Sequence, residues 1–373
     1  MPTPVAIHHL SRPLALLCLA VERFCLRDLS LRRGSNLLLA VSGGADSTAL
    51  ACIFALLRPR LELKLSALSI DHGLRPEGMA DARHAATTCH GLAIPCRIAM
   101  ADVLRLAHEQ KIGIEEAARR ARYALLESAR TEMGADFILL GHHAEDLSED
   151  ILLRLLRGTG WPALGGMLAR DDARHLLRPL LHCSPDALKS LVRHMELDWR
   201  EDASNNDSRF KRNRLRHKIL PLLRQENPAL ESASKKLWQM ARWDEEFFES
   251  QLAEALAAIP PSCGMEGGFP RIILSRELLA SLHPALRLRL FHRIVRQFYT
   301  MLAQQPHLAP NNGQARADTL FKLETALQEG RGNTYFQLPG GLTAYLQGGS
   351  ICFAHKKAGP VPNDKPGHTD ILD

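Results

Sequence analysis

No two of the eight cysteines are separated by two residues, so the spacing shared by dithiol redox motifs and structural zinc sites is missing. Cys18, Cys25, Cys52, Cys89, Cys96, Cys183, Cys263 and Cys352 are scattered and read as reduced thiols of a cytoplasmic protein. Missing too is an apolar run long enough to cross a bilayer, so no membrane partner is expected. The early stretch Leu14–Val21 is short and runs directly into Glu22, Arg23 and Arg27, which suits a packed N-terminal helix better than a secretory signal. Internal repeats and low-complexity tracts are likewise lacking.

What remains is an ordinary globular composition. A chain of 373 residues that is 46% hydrophobic buries at least one full core and suggests two or three domains. Its formal charge of +6 and sequence pI near 9.0 favour a polyanionic partner. From Asn36 to about Leu180, short apolar runs alternate with longer amphipathic ones, the pattern of an α/β, doubly wound parallel sheet. Strands are expected at Leu37–Val41, Leu63–Ile70, Ile94–Ala99 and Phe137–Leu140. Helical spacing covers Thr48–Leu57, Met79–His90 and Ile114–Met133, and the alternation continues through Glu145–Arg157. Residues Asp198–Lys218 form a polar, then densely basic, connector. The expected division is 1–223 for this domain with its N-terminal helix and connector, 224–305 for a helical region and 306–373 for a small C-terminal region with β structure. Helices are expected at Ala229–Ile259 and Ser275–Tyr299, and strands within Gly332–Ala354.

Directly after the first strand comes Ser42-Gly43-Gly44-Ala45-Asp46-Ser47, at the start of a helix. Glycines admit close backbone approach to an anion, and exposed amides at a helix start favour phosphate. The loop lacks the Gly-Lys-Ser/Thr ending of kinase-type P-loops. Asp46 adds a carboxylate beside the phosphate site, an arrangement that makes sense with a bridging magnesium ion. A plain helix-capping turn is the structural alternative.

Ser-Gly-Gly-x-Asp-Ser resembles the loop of the ATP-pyrophosphatases, also called PP-loop enzymes, which cleave ATP between the α and β phosphates and activate substrates by adenylation. Further segments resemble one branch, the tRNA(Ile)-lysidine synthetases. Asp71-His72-Gly73-Leu74-Arg75 looks like that family's signature after the second strand. Glu115-Glu116-Ala117-Ala118-Arg119-Arg120-Ala121-Arg122-Tyr123 looks like its Glu-x-Ala-Ala-Arg-x-x-Arg-Tyr helix. Glu115, Arg119 and Arg122 share a helical face, as they would in a plain surface salt-bridge ladder. Gly141-His142-His143-Ala144-Glu145-Asp146-Leu147-Ser148-Glu149-Asp150, followed by Arg157-Gly158-Thr159-Gly160, is similar to the family's acidic helix and loop. It departs by Glu145 for Asp, Leu147 for Gln and Asp150 for Thr. Glu201–Asp207 and Arg212-Asn213-Arg214-Leu215-Arg216, ending in Leu220-Pro221-Leu222-Leu223, complete the likeness.

The resemblance implies ATP-dependent adenylation at carbon 2 of the wobble cytidine in the CAU anticodon of tRNA(Ile), followed by displacement of AMP by L-lysine. It implies that Ser42, Gly43, Gly44, Ala45, Asp46, Ser47, Asp71 and His72 hold ATP. Asp46 and Glu149 would hold magnesium, Arg119 and Arg122 would bind the phosphates or the leaving pyrophosphate, and Asp146 would take the lysine proton. Arg157, Arg209, Lys211, Arg212, Arg214, Arg216 and Lys218 are the expected tRNA contacts, the last six dense enough to neutralise several phosphates. Three other readings compete: a tRNA 2-thiolation enzyme, which would normally use a cysteine pair; a tRNA-binding homologue without catalysis; and a metal hydrolase built on His142, His143, Glu145 and Asp146. The oligomeric state stays open, a homodimer being one option.

Overall fold

The computed structural model describes residues 6–200, 211–266, 269–303, 317–338 and 341–356. The chain forms two compact units, residues 1–240 and 241–373. In the first, β1 (Asn36–Ala40), β2 (Lys64–Asp71), β3 (Cys96–Met100) and β4 (Phe137–Leu139) are joined by α2 (Ala45–Leu61), α3 (Gly78–Gly91), and the pair α4 (Val103–Gln110) and α5 (Ile114–Glu132). Behind β4 come α6 (Ala144–Leu155), β5 (Arg170–Asp171), β6 (Leu176–Leu177) and α7 (Pro185–His194), while α1 (Arg12–Arg27) precedes the sheet. The strand order is β3-β2-β1-β4-β6-β5. Only the short β5–β6 pair is antiparallel.

This is the expected doubly wound sheet, and its strand order reverses between the parallel neighbours β1 and β4. In such sheets the crevice beyond the carboxyl ends of those two strands is where ligands bind. Helix α2 explains why the sheet stays covered. Its residues are apolar nearly all round, so Leu50, Ile53, Phe54 and Leu57 are fully buried between β1, α1 and α7. The opposite face is closed by Leu126 and Ala129 of α5 against Leu38, Ile138 and Leu176.

The boundary expected at 223 falls inside this first unit. The basic connector continues as α8 (Lys211–Arg214), a wider π-helical turn (Leu215–Ile219) and α9 (Leu220–Glu226). The start of α10 (Leu230–Ala258) also attaches here: Trp238 Nε1 donates to the Met167 carbonyl at 2.9 Å, and its ring lies 4.8 Å from that of His182.

In the second unit, β7 (Ser262–Glu266), β8 (Phe269–Leu274), β9 (Thr334–Gln337), β10 (Leu342–Gln347) and β11 (Ser350–His355) form an antiparallel sheet of order β7-β8-β11-β10-β9. Helices α11 (Arg276–Ser281), α12 (Pro284–Ala303) and α13 (Ala317–Gln328) share its core through Leu278, Phe291, Phe298 and Leu323 against Leu274, Leu346 and Phe353. The single helix expected at Ser275–Tyr299 is therefore two. Pro284 explains the break, because a proline starts a helix well but disfavours helical backbone in the residue before it. The segments 224–305 and 306–373, separated in the sequence reading, contribute strands to one sheet.

Replacing Phe54 by alanine should lower stability by about 3–5 kcal/mol, as expected for emptying a fully buried aromatic site. Urea denaturation followed by far-UV circular dichroism tests this, and a loss under about 1 kcal/mol would contradict the packing described.

Candidate active site

The loop from Ser42 to Ser47 joins β1 to α2 at the switch point. Gly43 adopts φ +84°, and a side chain there would stand 3.3 Å from the Asp81 carbonyl of α3, so glycine suits both the conformation and the close approach. The turn is held from within. Ser47 Oγ accepts from the Ser42 amide at 3.1 Å and donates to the Gly44 carbonyl at 3.0 Å, and the two serine hydroxyls lie 3.2 Å apart. Gly44 is the N-cap of α2 and has no side chain, which leaves the first amides of the helix open to an anion.

The loop after β4 closes on this one. A Cβ at Gly141 would lie 3.2 Å from the Asp46 carbonyl atoms and 3.3 Å from the Ser47 amide. The two backbones thus touch where a larger residue would hold them apart. Two residues on, His143 caps α6, and its amide donates to Asp146 Oδ2 at 2.9 Å. Its Nε2 lies 3.5 Å from both Asp46 Oδ2 and Asp146 Oδ2, so the imidazole bridges the phosphate loop and the acidic helix. Burial opposes a charge on His143, but the hydrogen bond to Asp46 and the charges of Asp146 and Asp46 outweigh it, and the ring's pKa is raised.

The acidic helix is also the most charged part of the interior. Asp146 is nearly buried and Glu149 fully so. Arg216 pairs with Asp146 and, at 3.0 Å, with Glu149, while Arg212 pairs with Glu149 and, at 3.2 Å, with Asp146. Burial alone would raise the Asp146 carboxyl, yet His143, Arg216 and Arg212 hold it well below the usual carboxylate range. For Glu149 burial wins, pushing its carboxyl up against the pull of the two arginines. Glu145, one of the departures from the family pattern, pairs with Arg224 of α9 at 2.9 Å, and Asp150, another, with Arg154 at 2.7 Å.

The structure therefore brings Asp46, Asp146, Glu149, Arg212 and Arg216 together through His143. It changes the picture of the basic connector as one phosphate-facing patch. Arg212 and Arg216 point inward to carboxylates, because steps of four residues put them on the same helical side as buried Leu215 and Leu220. Lys211, Arg214, Lys218 and Arg157 are exposed, whereas Arg209 lies outside the described residues, as does the Glu201–Asp207 segment. Asp71 ends β2 and accepts from the Gly73 amide at 2.9 Å, with His72 half-buried beside it. Arg119 and Arg122 lie farther along α5 around Tyr123.

Two residues that carry site geometry were given no role in the sequence reading. Gly141 stood only at the head of the acidic-helix motif, where its place directly behind a strand could have marked it. Arg178 follows β6, is nearly buried, and donates from Nε to His142 Nδ1 at 3.1 Å. Burial drives His142 down to about 3, so it is neutral at pH 7. A metal centre on His142, His143, Glu145 and Asp146 does not fit this arrangement: His142 faces a guanidinium, His143 faces carboxylates, and Glu145 faces Arg224. Among the described residues, no group of three His, Cys, Asp or Glu side chains has a geometry that could hold a metal ion.

Comparison with known proteins fits this geometry. Residues 20–223 match the PP-loop domain family, which defines the class. A tRNA(Ile)-lysidine synthase of Nitratidesulfovibrio vulgaris is 44% identical over 345 residues, covering 90% of this chain and 95% of that protein. One of Oceanobacillus iheyensis is 29% identical, covering 83% of this chain and 64% of its own. The chain belongs to the tRNA(Ile)-lysidine synthase family. Among solved structures, a U34-tRNA thiolase, NcsA, of Methanococcus maripaludis, described with its [4Fe-4S] cluster, is similar at a TM-score of 0.52 and 17% identity, covering 61% of this chain and 78% of that one. That likeness concerns the fold alone.

Two outcomes follow. Gly141→Ala should weaken ATP binding by at least about tenfold while leaving the fold intact, because its Cβ meets backbone that cannot swing aside; calorimetric titration with ATP measures it, and an unchanged affinity would refute the contact. Asp146→Asn should lower stability at neutral pH. The Asp146 pKa is depressed on folding, so its ionic contribution is present above the unfolded value and is lost as pH falls through the folded one. The stability gap between wild type and variant should therefore narrow below about pH 4 in urea unfolding, and a gap that stays constant down to pH 3 would contradict the ion pairs.

Proposed function

We propose that this chain converts the wobble cytidine of the CAU anticodon in tRNA(Ile) to lysidine, using ATP and L-lysine and releasing AMP and pyrophosphate. The observation that carries this reading is the bridge from Asp46 of the phosphate loop, through His143, to Asp146 of the acidic helix. It joins a nucleotide-binding turn to an ionisable site within reach of one substrate position. Family membership supplies the tRNA and the product.

In the first step the cytidine O2 attacks the α-phosphate and pyrophosphate leaves, giving an adenylated base. In the second, the lysine amine attacks carbon 2, AMP departs and the amine loses a proton. The residues of the chain have separable parts in this. Ser42, Ser47 and the amides of Gly43 to Ser47 face the phosphates, and Asp71 with His72 lines the crevice behind β2. A half-exposed carboxylate next to that loop suits a divalent ion, so Asp46 is the group that would hold magnesium, which would shield the phosphate charge. Glu149, the other expected ligand, is committed to Arg212 and Arg216 and would join the ion only if they turned away.

The same applies to Asp146 as acceptor of the lysine proton. A general base works best with a pKa near the working pH, and His143 with Arg216 and Arg212 pulls this carboxyl far below it. Asp146 becomes an effective acceptor when Arg212 and Arg216 exchange it for phosphates of the bound tRNA. Lys211, Arg214, Lys218 and Arg157, exposed on unit 1, are the proposed outer contacts to the RNA backbone, with Arg209 next to them in sequence. The base must be unstacked to reach the crevice, in keeping with recognition of a single-stranded loop. Among the described residues no helix is long and apolar enough to cross a membrane, and a cytoplasmic site of action is proposed with it.

The deciding measurement incubates the protein with ATP, magnesium, L-lysine and unmodified tRNA(Ile) bearing CAU, then analyses the digested nucleosides by mass spectrometry. Lysine-dependent formation of the lysine–cytidine adduct is expected, with loss of at least about a hundredfold in rate for Asp46→Ala. Pyrophosphate release without adduct would leave adenylation standing and replace lysine as the second substrate; neither product from folded protein would favour an RNA-binding homologue without catalysis.

A further inference from the structure

Among the described residues, the side chain of His142 makes a single hydrogen bond, and that bond decides which ring nitrogen carries the hydrogen. Arg178 Nε donates to His142 Nδ1 at 3.1 Å. A guanidinium has only donors, so Nδ1 must be the bare, accepting nitrogen, and the hydrogen of the neutral ring sits on Nε2. Turning the ring over would set a C–H against the guanidinium and lose the bond. Arg178 is nearly buried and held from two further sides, donating to the Leu168 carbonyl at 2.6 Å and to the Tyr123 hydroxyl. The tautomer of His142 is thus set by a side chain that has little freedom to leave.

Nε2 then remains as a donor. No acceptor for it lies among the described residues, and it is not sealed from solvent. His142 stands in the loop beyond β4, between Gly141, which touches the phosphate loop, and His143, which bridges to the acidic helix. Asp146 of α6, Arg212 of α8 and Arg122 of α5 stand round the ring together with Arg178. Burial and these three guanidiniums outweigh the carboxylate and keep the ring neutral at pH 7. An imidazole held in this way can give a hydrogen bond from its outer nitrogen and can neither accept one there nor take up a proton.

We propose that His142 is a specificity-determining residue for the base that enters this crevice, its Nε2–H donating to N3 of the cytosine ring, with Arg178 as the residue that positions it. In this the proposal rests on the reading of the substrate given above. Cytosine offers two acceptors on that edge, O2 and N3. O2 is the attacking atom and needs its lone pair for the α-phosphate, which leaves N3. Uracil carries a hydrogen at N3, so two donors would face each other and the base would be rejected, as polar sites reject ligands that leave their groups unpaired. In the second step, addition of the amine at carbon 2 pushes an electron pair of the ring onto N3, where a donor stabilises it, and the pair returns as the bond to AMP breaks.

Two measurements are made on the wild-type protein. In nitrogen NMR of histidine-labelled enzyme, with His142→Gln assigning the signal, the ring should show a protonated Nε2 and a bare Nδ1 between about pH 6 and 8. A protonated Nδ1 overturns the proposal. Affinities are then compared by fluorescence anisotropy, with no ATP present, for unmodified tRNA(Ile) and for the same RNA carrying 3-deazacytidine or uridine at the wobble position. The deaza base, which has a C–H in place of N3, is expected to bind about five- to tenfold more weakly, and uridine at least as weakly. Equal binding of the three RNAs by wild type also overturns the proposal. His142→Ala and Arg178→Met follow, each checked for an unchanged melting temperature. His142→Ala should bind all three RNAs alike, near the level of wild type with the deaza base. Arg178→Met keeps the imidazole but frees its tautomer, so it should bind the cytidine and uridine RNAs to within about twofold of each other. A merely structural role would weaken all three together, and a cytidine preference that survives in either variant overturns the assignment. RNA binding is read without turnover, so a wild type that binds tRNA yet forms no lysidine would sink the functional reading while leaving this test intact.

Discussion

Burying Asp146 and Glu149 is the constraint around which the first unit is arranged. A carboxylate removed from water costs several kcal/mol unless cations and hydrogen bonds replace its hydration. Here Arg212, Arg216 and His143 provide that replacement, and they come from two distant places in the chain. His143 sits at the cap of the same helix, while the arginines belong to a connector more than sixty residues later. The acidic helix can stay inside only if that connector folds back across it. This explains why α8 and α9 belong with the α/β unit and do not lead away from it, and why a boundary drawn at Leu223 cuts through the packing.

The charge network reaches the phosphate loop through one ring. Asp46 lies on the first turn of α2, half-exposed, and His143 holds it from the side facing Asp146. That geometry needs the β1 and β4 loops in direct contact, which Gly141 permits by having no side chain. Glycines at 43 and 141 do different things: the first supplies a left-handed backbone angle, the second only space. Together they bring a nucleotide site and an ionisable site to a common edge of the sheet.

Much of this was legible in the sequence, and the exceptions have physical reasons. The strand and helix order of the sheet could be read because buried parallel strands are continuous apolar runs set between amphipathic helices. The loop Ser42–Ser47 could be read because its glycines and hydroxyls stand directly behind such a run. Strands β5 and β6, two residues each, carry no periodicity to detect, and β7 and β8 are short runs interrupted by Gly264 and Pro270. The connector misled for another reason. Its composition is that of an RNA-binding tail, and nothing local reveals that Arg212 and Arg216 have partners in a helix brought near only by the fold. Charge density along a sequence reports cations, not the anions that meet them.

That double character gives the connector two uses for the same residues. Lys211, Arg214 and Lys218 face outward from a helical run whose inward positions are Arg212 and Arg216. In the proposed reaction an incoming RNA would first meet the outward set, which is screened and weakly bound, as exposed charges are. The inward pair already has anions, so phosphates gain those arginines only by displacing carboxylates that would then be left buried with fewer cations. The exchange is favourable only if something else compensates Asp146 and Glu149, and the ammonium of the proposed lysine substrate carries that charge. Cation for cation, lysine replaces arginine at the acidic helix while phosphate replaces carboxylate on the connector. On this account, RNA and amino acid enter a site whose charges are already balanced in their absence, and each makes room for the other.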